Sequence, residues 1–149
     1  MKKFDFKLDA VKNHRRILKD EANRIYQAAK FAVDQKLAII KTMYDAIDDA
    51  RVRADELQST KGMTSQNLVQ IDEFIIGQGL RIQRARQEVR EMMVELEEKH
   101  EALVEKVKDF KILEKLEAKQ KVKFKKEQNK LEQKKTDDLT MMRFKRGGI

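Results

Sequence analysis

The chain has 149 residues, of which 40% are charged and only 6% aromatic, with no tryptophan, proline or cysteine. That composition excludes a large compact core, disulfides, thiolate catalysis and cysteine-ligated zinc. The net charge of +8 is concentrated at one end: residues 111–149 hold 13 basic and 6 acidic side chains, whereas residues 1–110 hold 21 and 20.

Average proline usage of about 5% would put roughly seven prolines in a chain of this length. Proline breaks a helix by removing a donor and clashing with the preceding turn, so its absence indicates long uninterrupted helix. Glycine is nearly as scarce, at Gly62, Gly77, Gly79, Gly147 and Gly148. An elongated all-α protein is expected. The opening MKKFDFKLDA starts with two lysines, as a signal peptide does, but Asp5, Lys7 and Asp9 interrupt any apolar core of one. No run approaches the ~20 apolar residues of a spanning helix, and a cytoplasmic protein is expected.

In chain order, the first predicted helix covers about 8–58. Its apolar residues Val11, Leu18, Ala22, Ile25, Ala29 and Ala32 follow steps of three, four or seven. The pattern then slips by one residue and continues through Val33, Leu37, Ile40, Tyr44, Ile47 and Ala54. Such spacing faces a partner helix, and the slip predicts a local unwinding of the supercoil. A break follows at STKGMTSQN, giving a turn over about 59–66. Gly62 suits the left-handed residue that ends a helix, and Thr64 or Ser65 suits the cap of the next. The second helix, about 67–142, repeats the seam at Met93, Leu96, Leu103, Val107 and Phe110.

Two seams joined by a turn predict one domain over residues 1–149: a long antiparallel two-helix coiled-coil hairpin with a basic C-terminal helical overhang. Reflection about Gly62 sets residue i against about residue 126 minus i, placing Leu18 near Lys108 and Val11 near Lys115. The first helix runs out of partners at about position 122, leaving Lys123 to Lys135 as overhang. The stretch LEKLEAKQKVKFKKEQNKLEQKK, Leu113 to Lys135, holds nine lysines against four glutamates. An isolated helix in water is marginal, so the overhang reads either as a frayed solvated tail or as a tip that enters a partner supplying contacts and opposite charge.

Catalytic and metal chemistry find little support. The two histidines, His14 and His100, lie on different arms, offset by about 18 Å at ~1.5 Å per residue in the expected register. Gly77-Gln78-Gly79 lacks the third glycine and the preceding strand of a dinucleotide loop; inside a helix it predicts a bend or a close contact. Asp48, Asp49 and Asp55 read as a solvated face. Nucleic acid is disfavoured because Glu114, Glu117, Glu127 and Glu132 interrupt the lysines, arginine is absent from Leu113 to Lys135, and Phe124 has no stacking partner. A membrane-surface helix would need a more coherent apolar face. Phe74, Ile75, Ile76 and Leu80, with Tyr44 and Ile47 on the facing arm, either tighten the hairpin or form a docking patch. No enzyme and no cofactor are expected.

Three segments carry a family resemblance: the opening KFDFKLDAVKNHRRILKDEA, the middle GMTSQNLVQIDEFIIGQGLRI, and the end LEKLEAKQKVKFKKEQNKLEQKKTDDLTMMRF. In order and spacing they resemble the FliJ proteins of the bacterial flagellar export apparatus, with IIGQG as the main departure. The resemblance implies an antiparallel coiled-coil stalk in the pore of a hexameric export ATPase (FliI-like), promoting ring assembly and hydrolysis. It also implies contact with an export gate protein (FlhA-like) and with export chaperones, at the inner membrane of the flagellar base. Carried onto this chain, it makes Phe4, Phe6, Arg15, Arg16, Lys121, Lys125, Lys126 and Lys130 candidate ATPase contacts, and Tyr44, Phe74 and Ile75 candidate gate contacts. The corresponding stalk of a virulence-type injectisome, a coiled-coil export chaperone or adaptor, and a homodimeric structural coiled coil are the competing readings. The hairpin itself predicts a monomer when free.

Overall fold

The computed structural model describes residues 2–59 and 65–147. It is an all-α helical hairpin: α1, Asp9–Gln58, and α2, Ser65–Gly147, pack against each other, with no strand among the described residues. The predicted Gly62 terminator and Thr64 cap lie outside the described residues, and Ser65 is already helical. Before α1 the chain turns at Phe6, whose carbonyl accepts from the Asp9 amide at 3.1 Å. Asp9 then sits in the first turn, where a carboxylate meets the positive end of the helix dipole. At the other end Ser59 supplies two donors, its amide to the Asp55 carbonyl and its hydroxyl to that of Glu56. These satisfy carbonyls that the last helical turn leaves open.

The seam of α1 runs differently from the sequence expectation. Besides Asn13, Leu18 and Ala46, half-buried at its margins, its buried or half-buried positions are Lys12, Arg15, Lys19, Ala22, Tyr26, Ala29, Val33, Lys36, Ile40, Met43, Ile47, Ala50, Ala54 and Leu57. These follow unbroken steps of three and four, so there is no slip. Val11, Ile25, Ala32, Leu37 and Tyr44, assigned to the seam by their apolarity, are exposed. The reason is that four basic residues occupy inward positions, lying along the interface on their aliphatic stems. In α2, Met92 rather than Met93 turns inward, while Leu96, Leu103, Val107 and Phe110 are inward as expected.

The described residues fall into two compact units. The first, Glu21–Leu103, holds an apolar cluster of Ile40, Ile47, Ile82, Ala85 and Val89, with Met43 and Ile75 packed against it. Gln78 sits in the same seam, 8% exposed, and accepts from Arg81 at 3.2 Å. The second unit, Met1–Asp20 with Val104–Ile149, buries Phe6, Phe110 and Leu113 and adds polar and aromatic contacts. Lys12 is ion-paired with Glu117, Arg15 donates to the Asp109 carbonyl at 2.9 Å, and the Lys19 ammonium lies 4.4 Å from the centre of the Phe110 ring. These pairs, like Tyr26 with His100 and Lys36 with Glu88 in the first unit, fall within about one turn of the register expected by reflection.

Helix α2 passes through Gly77 and Gly79 without interruption. A Cβ on either would meet nothing within 4 Å, so the expected close contact is absent. Phe124 does have an aromatic partner: the rings of Phe4 and Phe124 are 5.6 Å apart and tilted by 54°. The N-terminal segment thus extends cover beyond the point where α1 begins. Gln128 is the last half-buried position, and every described residue after it is exposed.

Candidate functional site

The residues singled out as ATPase contacts all lie in the terminal unit, but with different accessibility. Phe6 is 6% exposed and packs as core, and Phe4 is half-covered against Phe124. Arg15 is held by the Asp109 carbonyl, while Arg16 is exposed and donates to Asn13. Lys121, Lys125, Lys126 and Lys130 are all exposed, with no ion pair among the described residues.

A broader feature was missed by taking those lysines singly. Lys108, Lys111, Lys115, Lys119, Lys126 and Lys130 recur at steps of three, four or seven, and all are exposed. At 100° per residue they share the side of α2 opposite Phe110, Leu113 and Phe124. Glu114, Glu117, Glu127 and Glu132, which interrupt the lysines in the linear sequence, fall away from this stripe. The signal was readable from a helical projection, and the linear order obscured it. Ammonium groups a turn apart without acid partners repel one another and attract an acidic surface.

The three candidate gate residues do not form one patch. Tyr44 lines a groove with Leu37, Ile40, Val89, Arg86 and Arg90, and Arg86 donates to its hydroxyl at 3.5 Å. Phe74 lines a different groove, with Ala46, Ala50, Leu57 and Ile71. Their seam positions place these grooves on opposite flanks of the helix pair. Ile75 packs against the apolar cluster between them. Phe74 is 41% exposed, and Ile76 and Leu80, at 66% and 63%, face outward on α2. Phe74 and Tyr44 therefore remain accessible, whereas Ile75 stabilises the hairpin.

Beside the Tyr44 groove, Lys36 and Glu88 are joined at 2.6 Å. The hydrogen bond from Lys36, reinforced by its charge, holds the Glu88 carboxyl below the ordinary glutamate range. His14 is exposed, and His100 packs on Tyr26 at 5.4 Å between ring centres. No group of three His, Asp or Glu side chains able to hold a metal occurs among the described residues. No helix there is long and apolar enough to cross a membrane.

What this fold and its surfaces define is a helical hairpin carrying a basic stripe and two side grooves. The chain matches the family described as Flagellar FliJ protein over residues 4–148. It belongs to the FliJ family, a structural component of the flagellar protein-export apparatus. No curated protein and no solved structure gives a match.

Proposed function

We propose that this chain is the central stalk of the hexameric flagellar export ATPase. Its terminal unit enters the ring, favours the closed hexamer and so couples assembly to hydrolysis. The unit Glu21–Leu103 links the ring to the export gate through the Tyr44 groove and Phe74, and offers a surface for export chaperones. The stalk performs no chemistry itself. It works in the cytoplasm at the flagellar base, associated peripherally with the inner membrane.

The observation that supports this reading best is the lysine stripe on a helix that outruns its own partner. Exposed cations at a turn's spacing bind weakly one by one, but together they steer an acidic wall into register. An inserted helix also gains from such a wall the contacts that water cannot supply.

The test is ATP hydrolysis by the cognate export ATPase with the full chain, with a truncation ending at Gln128, and with Lys119→Glu/Lys126→Glu/Lys130→Glu. The truncation point keeps the Phe4–Phe124 contact, so the hairpin stays closed. Full-length chain should stimulate hydrolysis, and the charge reversal should reduce its apparent affinity by about tenfold or more, with loss of salt dependence. Undiminished stimulation by the reversed chain would sink the assignment. For the gate, Phe74→Ala should weaken binding with unchanged helicity, measured by pull-down alongside circular dichroism.

A further inference from the structure

The inward count along α2 does not stop where its partner does. Phe110, Leu113, Glu117, Phe124 and Gln128 occupy covered positions at steps of three, four and seven. The same count continues to Leu131, Lys135, Asp138, Met142 and Lys145, all exposed and all on the face that the hairpin buries further up. Leu131 is 53% exposed and Met142 63%. This is an interface that has been continued and left without a second strand.

The continuation is self-complementary when reversed. About a point between Thr136 and Asp137, Lys135 mirrors Asp138, Leu131 mirrors Met142, and Gln128 mirrors Lys145. A second copy laid antiparallel sets each Lys135 against an Asp138, each Leu131 against a Met142 and each Lys145 against a Gln128. Two-fold symmetry repeats every such contact. A parallel copy would instead set Lys135 against Lys135 and Asp138 against Asp138, which repel. The hairpin uses the same charged layer internally, in Lys12 with Glu117 and Lys36 with Glu88.

We propose that two copies of this chain pair antiparallel through the tails of α2, in the register that joins Lys135 to Asp138 and Leu131 to Met142. The expectation of a monomer rests on a seam satisfied within one chain. That condition holds as far as Gln128 and fails beyond it. With two apolar and two ionic layers the pairing is weak and reversible, so the tails are covered in the free protein and open to exchange with a tighter partner.

The chain has no cysteine, so engineered thiols report without background. Leu131→Cys and Met142→Cys full-length chains are mixed under a mild oxidant. The antiparallel register brings residue 131 of one copy beside residue 142 of the other, and the mixture should cross-link. Each variant alone should cross-link several-fold less, since like residues lie 11 positions apart, ~16 Å along the helix and beyond the ~7 Å reach of a disulfide. Sedimentation equilibrium to ~1 mM chain at low salt supplies the second reading, because tail pairs are screened by salt. Lys135→Asp or Asp138→Lys should weaken association about tenfold, and the double swap should restore it. Three results would overturn the proposal: a single-chain mass for the wild type throughout, cross-linking of Leu131→Cys alone equal to that of the mixture, or single swaps without effect.

Discussion

The Glu88 carboxylate shows how a half-exposed residue can shape the response to pH. Its hydrogen bond from Lys36 lowers its pKa in the folded chain relative to the unfolded one. The pair's stabilisation is therefore complete above the unfolded value and is lost as pH falls through the folded one. Glu88→Gln should lower the melting temperature at neutral pH and bring no further loss in acid. Thermal melts at neutral and acidic pH check this; an equal deficit at both would place the stabilisation elsewhere. The residue scale is also where the sequence was hardest to read. Lys12, Arg15, Lys19 and Lys36 look like surface residues in a one-dimensional pattern, yet all four hold inward positions. Their stems bury while their charges find Glu117, the Asp109 carbonyl, the Phe110 ring and Glu88.

At the scale of the helices, the existence, pairing and register of both arms were legible because proline is absent and Gly62 stands in the single polar break between two apolar seams. The inward face of α1 was legible only in part. Choosing Ile25 over Tyr26 and Leu37 over Lys36 created a slip that an unbroken heptad does not need. In α2 the two glycines invited a bend, but the helix carries through them with open space where each Cβ would stand. Gly77→Ala and Gly79→Ala should each stabilise the hairpin by about 1 kcal/mol, because alanine restricts the unfolded chain and favours helix. Urea titration measures it, and a loss of stability from either change would show that the backbone there needs glycine. Between them, Gln78 holds a buried seam position and accepts from Arg81 of its own helix.

For the whole molecule, stability should divide sharply between the core cluster and the tail. Ile82 is 4% exposed among Ile40, Ile47, Ala85 and Val89. Ile82→Ala should cost about 2–4 kcal/mol, the range for a cavity in a packed core. Removal of everything after Gln128 should change the melting temperature of a dilute chain very little, since those residues are exposed. Thermal unfolding compares the two; a large loss on truncation would mean that the tail is folded against the hairpin. The hairpin and its basic end were thus readable from composition and charge, while the stripe required the helix to be projected. The grooves could not be read at all, since each is assembled from both helices by residues far apart in the chain, such as Tyr44 with Arg86 in one and Ala46 with Phe74 in the other.

The uneven make-up of the seam has a dynamic consequence. Between Glu21 and Leu103 the interface is sealed by isoleucine and valine, which salt does not loosen. At the termini buried Phe6, Phe110 and Leu113 share it with Lys12, Arg15 and Lys19, whose partners are a charge, a carbonyl and a ring. Amide hydrogens in the terminal unit should therefore exchange sooner than those around Ile40 and Ile82, and raised ionic strength should widen the gap. The hairpin is a zipper with a preferred end: a binding partner can part the two strands at the termini while the isoleucine layers keep them joined.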